Sequence, residues 1–345
     1  MKKRFLNGII MIEAENSRLN TSCPEVERTN GNENVTYTKK VGSNGMCSSA
    51  SIKSNMKKFM IEEGFNVSQY IKDSNKIVSE CDPIKFINED VFGMMGARKV
   101  TISKEEYDSL KKEEQDGFKK EKKEYTKNIT KKRDAKFKLN ALIGLGTSRV
   151  RKEWGVCNCE GNYSMPYQLE TYADLMSSIF NFDINSVGRF IISHDATELR
   201  DYSTEEKNSR EDIVEELSRE ERLNRIKVTL KALKYLSIES NQSNYLTDTK
   251  PKAIILGEYS WGNNMFQGLV TKNGINIDGL KEVLDEYDDY RLSKIWIGLS
   301  NTIKSESFNN NIKEIKEKLI DYDVKVTSVG KVFDEYLEYI EKTLE

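Results

Sequence analysis

The chain begins with an apolar run that is short enough to be a buried strand. Residues 5–12 are interrupted only by Asn7 and Gly8, and a nearly continuous apolar run of this length is typical of a strand covered on both faces. Gly8 indicates a bulge or a close approach of another part of the chain. We therefore expect this segment to be the central first strand of a sheet.

An alternating pattern follows a polar, asparagine-rich stretch. The turn-forming pair Asn30-Gly31 precedes alternation at Val35, Tyr37, Lys39 and Val41. An Asn-Gly pair before alternating residues is typical of a β-hairpin. The pattern predicts a hairpin arm over residues 26–41.

The first helical pattern comes directly after this arm. Its capping residues are Ser48, Ser49 and Ser51, and Gly64 follows its expected end near Glu63. Helical spacing places one set of apolar residues on a single face: Ile52, Met56, Phe59 and Met60. We predict a helix over this span.

The segment 101–135 is rich in lysine and glutamate. Ser103 and Glu106 form a capping box, which marks a helix start. Residues with apolar surface to bury are sparse after this box, among them Tyr107, Leu110, Phe118 and Tyr125. The pattern predicts a helix that protrudes into solvent.

The segment 136–159 predicts an extended, mobile arm. It begins with alternating Phe137 and Leu139 and continues through Gly144 and Gly146. Cationic and aromatic residues then follow in close order: Arg149, Arg151, Lys152 and Trp154.

Regular patterns return in the second half of the chain. Residues 187–193 predict a strand, and a helix of about 25 residues is expected from a three-and-four spacing of Leu223, Ile226, Leu230 and Leu233. Apolar runs at 253–256, 269–270, 295–299 and 324–326 then alternate with helices beginning near Asp278, Asn310 and Lys331. This order fits an α+β core of the ferredoxin-like or RRM-like kind, split by insertions.

The charge of the chain is unevenly distributed. The 345 residues carry a net charge of −2, yet residues 1–152 hold 31 Lys/Arg and 21 Asp/Glu, so this part is +10 and the remainder is −12. A basic half on a nearly neutral protein is the electrostatic footprint expected for a polyanion partner. An unevenly charged solvated surface is the alternative.

Cysteine usage and hydropathy bear on the cellular setting. The five cysteines are odd in number and scattered, which is typical of a compartment that keeps thiols reduced. No apolar run is long enough to span a membrane, and no signal-peptide pattern is present. We expect a cytoplasmic protein without membrane association. Cys157 and Cys159 lack partners at a metal-ligand spacing, so we expect spare thiols, no metal and no cofactor.

The sequence offers few groups for catalysis. His194 and Asp195 are adjacent, and neighbours on one strand point to opposite faces, so we expect a structural or RNA-contacting histidine. The acidic cluster at 285–289 is interpreted as a solvated turn. Phosphate-loop, dinucleotide and nucleophile-elbow motifs do not occur. We therefore expect a protein that is not an enzyme.

Binding of a nucleic-acid backbone needs only donors along an extended surface. Lys53 and Lys57 are four residues apart and share one flank of the first helix, whose N-terminus adds free backbone N–H groups. Both lysines can equally be solubilising residues. Lys39 and Lys40 point to opposite faces, so at most one of them contacts a given strand. Trp154 with the nearby arginines can stack a base, or can anchor a subunit contact.

Six sequence blocks together resemble one protein family. They are FLNGIIMIEA, VGSNGMCSSASIKSNMKKFM, EDVFGMMGA at Glu89 to Ala97, SVGRFIIS at Ser186 to Ser193, RLNRIKVTLKALKYL at Arg222 to Leu236, and KIWIGLS at Lys294 to Ser300. In this order they resemble the backbone subunit of the type I-B CRISPR surveillance complex called Cascade, which is the Cas-seven family in its DevR subtype. The match consists of short blocks that span most of the chain.

The resemblance implies an α+β fold, with an RRM-like (ferredoxin-like) palm, an inserted helical region and a thumb. Residues 1–97 are then the N-terminal part of the palm, 98–160 the inserted basic helix and thumb, and 161–345 the remainder of the palm with C-terminal α/β elements. The implied partners are CRISPR RNA, target DNA paired to that guide, further copies of the chain and other Cascade subunits.

The resemblance also implies which residues contact the guide. Residues 49–57 line a groove for RNA, residues 136–154 form the thumb, and Met94 with Met95 wedges the strand where it is kinked. The residues expected to bind RNA are Asn20, Lys39, Lys40, Ser49, Ser51, Lys53, Lys57, Met94, Arg98, Lys136, Lys138, Arg149, Arg151 and Trp154.

Two other functions are weighed against this one. Type III relatives carry a loop aspartate that cleaves target RNA, and a metal-dependent ribonuclease of that kind is the alternative. The corresponding residues here, Asn16 to Asn20, contain no aspartate. The third possibility is a scaffold whose 101–135 segment binds proteins, which predicts no salt-sensitive affinity for RNA.

Overall fold

The structure is a computed structural model that describes residues 3–21, 34–73, 76–110, 112, 115, 118–121, 124–159, 163–192, 199–201 and 213–345. The strands are β1 (Phe5–Ser17), β2 (Asn34–Thr36), β3 (Lys40–Val41), β4 (Asn44–Cys47), β5 (Ile71–Asp73), β6 (Lys76–Val78), β7 (Met94–Ser103), β8 (Lys119–Glu121), β9 (Glu124–Arg133), β10 (Phe137–Leu139), β11 (Leu142–Gly144), β12 (Arg151–Cys159), β13 (Tyr163–Asp183), β14 (Arg189–Ile192), β15 (Leu199–Asp201), β16 (Ile213–Glu216), β17 (Ala253–Tyr259), β18 (Val270–Thr271), β19 (Gly274–Ile275), β20 (Ile295–Leu299) and β21 (Val324–Thr327). The helices are α1 (Ser49–Glu62), α2 (Ile87–Val91), α3 (Lys104–Ser109), α4 (Arg219–Lys234), α5 (Ile277–Glu286), α6 (Glu306–Lys318) and α7 (Val329–Thr343).

The chain folds as a mixed α+β protein with a large, mostly antiparallel sheet, which confirms the predicted fold class. Two compact units form, each from segments that are far apart in sequence. Unit 1 comprises Met1–Phe59, Lys138–Asp183 and Thr229–Thr343, and unit 2 comprises Met60–Phe137, Ile184–Val228 and Leu344–Glu345.

The large sheet of unit 1 is built around the predicted first strand. Its order is β21-β20-β17-β1-β13-β11-β4-β3, with β2, β10 and β12 paired to β13 beside this path. β1 therefore lies between β17 and β13, and the prediction of a central strand is confirmed. A Cβ atom on Gly8 would lie 2.2 Å from the Phe180 ring on β13, so the glycine permits the close approach that its position predicted.

Helices cover both faces of this sheet. Ile9 of β1 and Ile255 of β17 share one core with residues of α5 and α6, among them Leu280 and Phe308. On the other face, Trp296 of β20 contacts the Tyr336 ring of α7 at 5.5 Å between ring centroids. Successive strand residues face opposite sides, and both sides are covered, which explains why β20 and most of β1 and β17 are apolar.

Four of the longer helices, α1, α5, α6 and α7, begin within a few residues of the predicted positions. The Ser48 hydroxyl accepts a hydrogen bond from the Ser51 backbone N–H at 3.4 Å, and Gly64 follows α1 with a φ of +84°. The Asn276 side chain caps α5 and Ser305 caps α6. α5 and α7 begin within two residues of the predicted Asp278 and Lys331, whereas α6 begins at Glu306, before the predicted Asn310. α4 has 16 residues, fewer than the expected 25, although all four of its predicted apolar residues are buried.

Unit 2 contains a three-stranded sheet in the order β7-β9-β8 and another in the order β15-β14-β16. The first of these corrects the prediction of a long helix over 101–135. The capping box forms, since Glu106 N donates to Ser103 Oγ at 3.2 Å and Ser103 N donates to Glu106 Oε2 at 2.8 Å. The helix it opens, α3, has no buried residue and ends at Ser109.

Pairing between distant residues explains why this segment is not helical. All ten residues of β9 pair with β7, from Glu124 with Ser103 to Arg133 with Met94. The Tyr107 and Tyr125 rings stack at 3.7 Å between centroids. The few apolar residues thus pack between different elements, as Tyr107 of α3 does on Tyr125 of β9. The region that was predicted to be an inserted helix is a β-sheet.

The predicted arm at 136–159 also needs correction. Lys136, Phe137, Leu139 and Leu142 are buried, and β11 pairs with both β4 and β13 inside the large sheet. Only the later part is an exposed extended element, in which β12 pairs with β13 from Arg151–Thr171 to Cys159–Tyr163. The predicted hairpin arm lies partly outside the described residues, which exclude Asn30-Gly31. Its described end pairs β3 with β4.

Candidate nucleic-acid interface

Most of the residues predicted to bind RNA lie in unit 1, where several meet at one edge of the large sheet. We call this region the basic edge and define it as residues 39–57 and 148–154. It comprises the β3–β4 hairpin, the first turns of α1 and the chain that leads into β12. β3 ends the strand order of the sheet, and α1 begins two residues after β4 ends.

Asn20 fixes the start of α1 against the loop that follows β1. Its Oδ1 atom accepts a hydrogen bond from Ser48 N at 3.2 Å, and its carbonyl oxygen accepts one from Lys39 N at 2.9 Å. Asn20 therefore ties the helix N-terminus and the hairpin to one point. In the structure it holds neighbouring backbone in place.

Lys39 and Ser51 meet around the buried thiol of Cys47. Burial raises the pKa of Cys47 to about 11, while a hydrogen bond from Ser51 and the charge of Lys39 act to lower it. The Lys39 ammonium is thus close to the first turn of α1. This arrangement adds a positive charge to the partial positive charge of the helix N-terminus.

Lys40 is held by a buried carboxylate. Its Nζ lies 2.8 Å from Glu170 Oε1 on β13, and the Glu170 side chain is 3% exposed. Thr38 N donates to the other oxygen of the same carboxylate at 3.2 Å. Sequence reasoning missed this anchor, because Glu170 is 130 residues away along the chain.

Lys53 and Lys57 share one flank of α1, as their spacing predicted. Both side chains are partly buried. Burial, followed by the charge of Lys57, lowers the pKa of Lys53 below its ordinary value of 10.5. Two cations held this close are stabilised by an anion, which makes the flank suited to a phosphate.

Arg149 and Arg151 lie beside the β3–β4 turn. Both are exposed, and the residue between them, Val150, donates its N–H to the Ser43 carbonyl at 3.0 Å. Arg151 begins β12, where alternate residues share a face. Trp154, which is 58% exposed, therefore shares its face with Lys152 and lies opposite Arg151. The cation on the tryptophan's face of the strand is therefore Lys152. The alternation of side chains along a strand would have predicted this from the sequence.

The remaining predicted contacts are not gathered at the basic edge. Lys138 is exposed on β10 of unit 1. Three others belong to unit 2, where Met94 and Lys136 are buried and Arg98 pairs with Ile129 in the β7–β9 ladder. Met95, next to Met94, is 75% exposed.

A buried carboxylate in unit 2 joins three of the sequence blocks on which the family resemblance rests. Asp90, from the EDVFGMMGA block, pairs with Arg133 and with Arg225, the latter at 2.8 Å. It also accepts a hydrogen bond from Gly188 N at 3.0 Å. Gly188 belongs to SVGRFIIS and Arg225 to RLNRIKVTLKALKYL. These three blocks thus meet at a buried structural cluster, in which Asp90 and Arg225 lie away from the surface.

Some candidate residues lie beyond the described part of the chain, including His194 and Asp195. Among the residues that are described, no cluster of three or more His, Cys, Asp or Glu side chains is arranged to hold a metal ion. Within the same residues, no helix has the length and apolar content needed to cross a membrane.

Comparisons with known proteins were made by sequence and by structure. No family model and no curated protein matches the sequence. The fold is similar to a chain of a solved structure described as "CRISPR RNA-guided surveillance complex, pre-nicking", with a TM-score of 0.52, 9% identity, and coverage of 97% of this chain and 99% of that chain. A second, "CRISPR RNA-guided surveillance complex", gives a TM-score of 0.47, 10% identity, and coverage of 88% and 92%. The chain therefore shares its α+β fold with a component of a CRISPR RNA-guided surveillance complex.

Proposed function

We propose that the chain is a non-catalytic backbone subunit of a type I-B Cascade complex, of the Cas-seven family in its DevR subtype. In this role it binds CRISPR RNA, polymerises along the guide and supports pairing of the guide with target DNA. It also contacts other Cascade subunits in the cytoplasm. The observation that carries the proposal is the basic edge, on a fold similar to that of a surveillance-complex chain.

The chemistry of the basic edge suits binding to a nucleic-acid backbone and not recognition of a base sequence. Its exposed or partly buried groups are cations and a helix N-terminus, and these bind phosphate oxygens whatever the base. Among the described residues of this edge, Trp154 is the aromatic one, and a single ring cannot stack the bases of several nucleotides. Sequence is then read by pairing between guide and target, while the protein holds the strand.

A subunit that only holds RNA leaves the strand intact. The ribonuclease alternative requires an aspartate in the loop after the first strand, and Asn16 to Asn20 contains none. The two functions therefore differ in a measurable way, because a metal-dependent ribonuclease shortens its RNA and is stopped by a chelator.

The test is the affinity of the purified protein for a single-stranded RNA of ~40 nucleotides at several salt concentrations. Each phosphate contact contributes a slope of about −0.7 in log K against log salt for a single strand. The double substitution Arg149→Gln/Arg151→Gln is expected to lower the affinity and flatten this slope.

The matched control is Lys318→Gln/Lys325→Gln. It removes the same charge from exposed lysines of α6 and β21, and β21 ends the sheet opposite β3. Equal affinities of the two double variants would contradict a role for the basic edge. RNA that is cut without a chelator and intact with one would favour the ribonuclease.

A further inference from the structure

Arg18 is a buried arginine, and two of its three guanidinium nitrogens lack acceptors among the described residues. It directly follows β1 and is 5% exposed. Its Nε and Nη2 atoms are buried and find no hydrogen-bond acceptor among the described residues. A buried charge without a partner costs several kcal/mol in general, and a buried unsatisfied polar group in a folded protein calls for a functional or structural reason.

Other buried arginines of the described chain show how the protein pairs an arginine that has a structural role. Arg133 and Arg225 pair with Asp90, and Arg189 and Arg222 pair with Glu216. Each of these guanidiniums also donates to backbone carbonyls or to further carboxylates. Arg18 differs from them, so packing alone does not account for its charge.

The backbone of Arg18 is fixed from both sides. Its carbonyl oxygen accepts a hydrogen bond from Asn241 Nδ2 at 3.1 Å. The next residue, Leu19, donates its N–H to the Tyr172 hydroxyl at 3.3 Å. The backbone that carries the guanidinium is therefore held in place, so its ordering adds little to the entropy lost on binding.

Neighbours of Arg18 contact both parts of the basic edge. Two residues later, Asn20 holds the start of α1 through Ser48 N. On the other side, the charge of Arg18 acts on Tyr245, where it lowers a pKa that burial and Glu153 raise. The Tyr245 hydroxyl donates to Glu153 of β12 at 3.2 Å. The nearby carboxylate thus has its own donor, and Arg18 keeps its unpaired nitrogens.

We propose that Arg18 is a phosphate-binding residue, whose guanidinium binds a phosphodiester oxygen of the RNA strand held at the basic edge. This inference rests on the proposed function and extends it to a residue that the sequence did not single out. A planar guanidinium with two unpaired nitrogens matches the oxygens of a phosphate better than any other side chain does. Both nitrogens are covered by protein atoms in the structure, so the phosphate reaches them once the groups that cover them move.

The proposal predicts opposite effects on stability and on binding. Arg18→Met keeps much of the side-chain volume and removes a buried charge that has no partner, so the variant is expected to melt at a higher temperature than the wild type. The same change removes a charge-assisted hydrogen bond to phosphate, so RNA affinity is expected to fall about 10- to 100-fold. A purely structural arginine would lose stability instead.

The experiment compares the wild type, Arg18→Met and the control Arg291→Met. The Arg291→Met variant loses the same charge as Arg18→Met. Arg291, however, pairs with Asp288 just before β20, near the end of the sheet order opposite to β3. Melting temperatures are measured in sodium sulfate and in sodium chloride at equal ionic strength, since sulfate is a probe for phosphate. Affinity for the single-stranded RNA is measured on the same samples.

The expected result is that sulfate raises the melting temperature of the wild type and of Arg291→Met by more than it raises that of Arg18→Met, since sulfate also stabilises every folded protein by exclusion from its surface. Only Arg18→Met is expected to bind RNA more weakly and with a flatter salt slope. An Arg18→Met protein that matches the wild type in RNA affinity and sulfate response overturns this inference and leaves the proposed function standing. A wild type that binds no RNA at low salt overturns both. An Arg18→Met protein that melts at a lower temperature and keeps its affinity shows a structural role instead.

Discussion

Replacement of Asp90 by asparagine tests the buried cluster that joins the sequence blocks in unit 2. Asn is close to Asp in size, so the change removes charge with little change in volume. It leaves two guanidiniums, from Arg133 and Arg225, whose side chains are 0% and 4% exposed, without their shared carboxylate. Removing one partner of a buried ion pair costs about 3–5 kcal/mol.

That loss is large for a folded unit whose total stability is about 5–15 kcal/mol. A melting temperature lower by roughly 10 °C is expected for a unit of this size. Because two units can unfold separately, we would measure hydrogen exchange on peptides of unit 2, together with urea unfolding followed by circular dichroism.

Asp134→Asn is the matched control. Its carboxylate pairs with Lys132 at 3.2 Å, but both side chains are more than half exposed, so the expected loss is about 0–1 kcal/mol. If Asp90→Asn were no more destabilising than Asp134→Asn, Asp90 would not be the buried centre of unit 2, and the structural explanation of the sequence blocks would be refuted.

Three further changes have defined outcomes. Lys53→Met is expected to stabilise the fold at neutral pH and to weaken RNA binding. Because the pKa of Lys53 is lowered in the folded protein, the unfolded chain holds the proton more tightly, and wild-type stability rises with pH between that lowered pKa and 10.5. Melting curves at several pH values should show this rise in the wild type and not in the variant. Gly8→Ala should lower the free energy of unfolding, measured in urea, by about 1–3 kcal/mol, because the new Cβ would lie 2.2 Å from the Phe180 ring. A second change, Phe180→Leu, should recover part of this loss, and no recovery would show that the strain lies elsewhere. Trp154→Ala should leave the melting temperature unchanged, since the side chain is 58% exposed, and should lower RNA affinity about 5- to 100-fold if a base stacks on the ring; unchanged affinity would assign Trp154 to another contact.

Local patterns were sufficient to locate the elements whose start and periodicity lie within a few residues. The serines before α1, the helical spacing of its apolar residues and the nearly continuous apolar run of β1 each express a single local preference. The helix starts and the central strand could therefore be predicted. The two lysines on one flank of α1 follow from the same spacing.

Long-range pairing decided the parts that the sequence did not predict. The lysine- and glutamate-rich composition of 119–133 favours a helix by propensity, but pairing of β9 with β7 makes it a strand. The 21-residue strand β13 pairs with both β1 and β12, and its mixed polar sequence gives no clear period. Partners such as Glu170 for Lys40 come from distant segments, so local patterns do not show which cations are already paired.

The central claim is that copies of this chain assemble along one RNA strand. Native mass spectrometry of the purified protein with single-stranded RNAs of ~20, ~40 and ~80 nucleotides measures the number of copies per strand. The account predicts that the number of copies rises in proportion to RNA length, that the RNA mass is unchanged, and that Arg149→Gln/Arg151→Gln lowers occupancy at every length. A single copy on every RNA, or no complex at low salt, would contradict it.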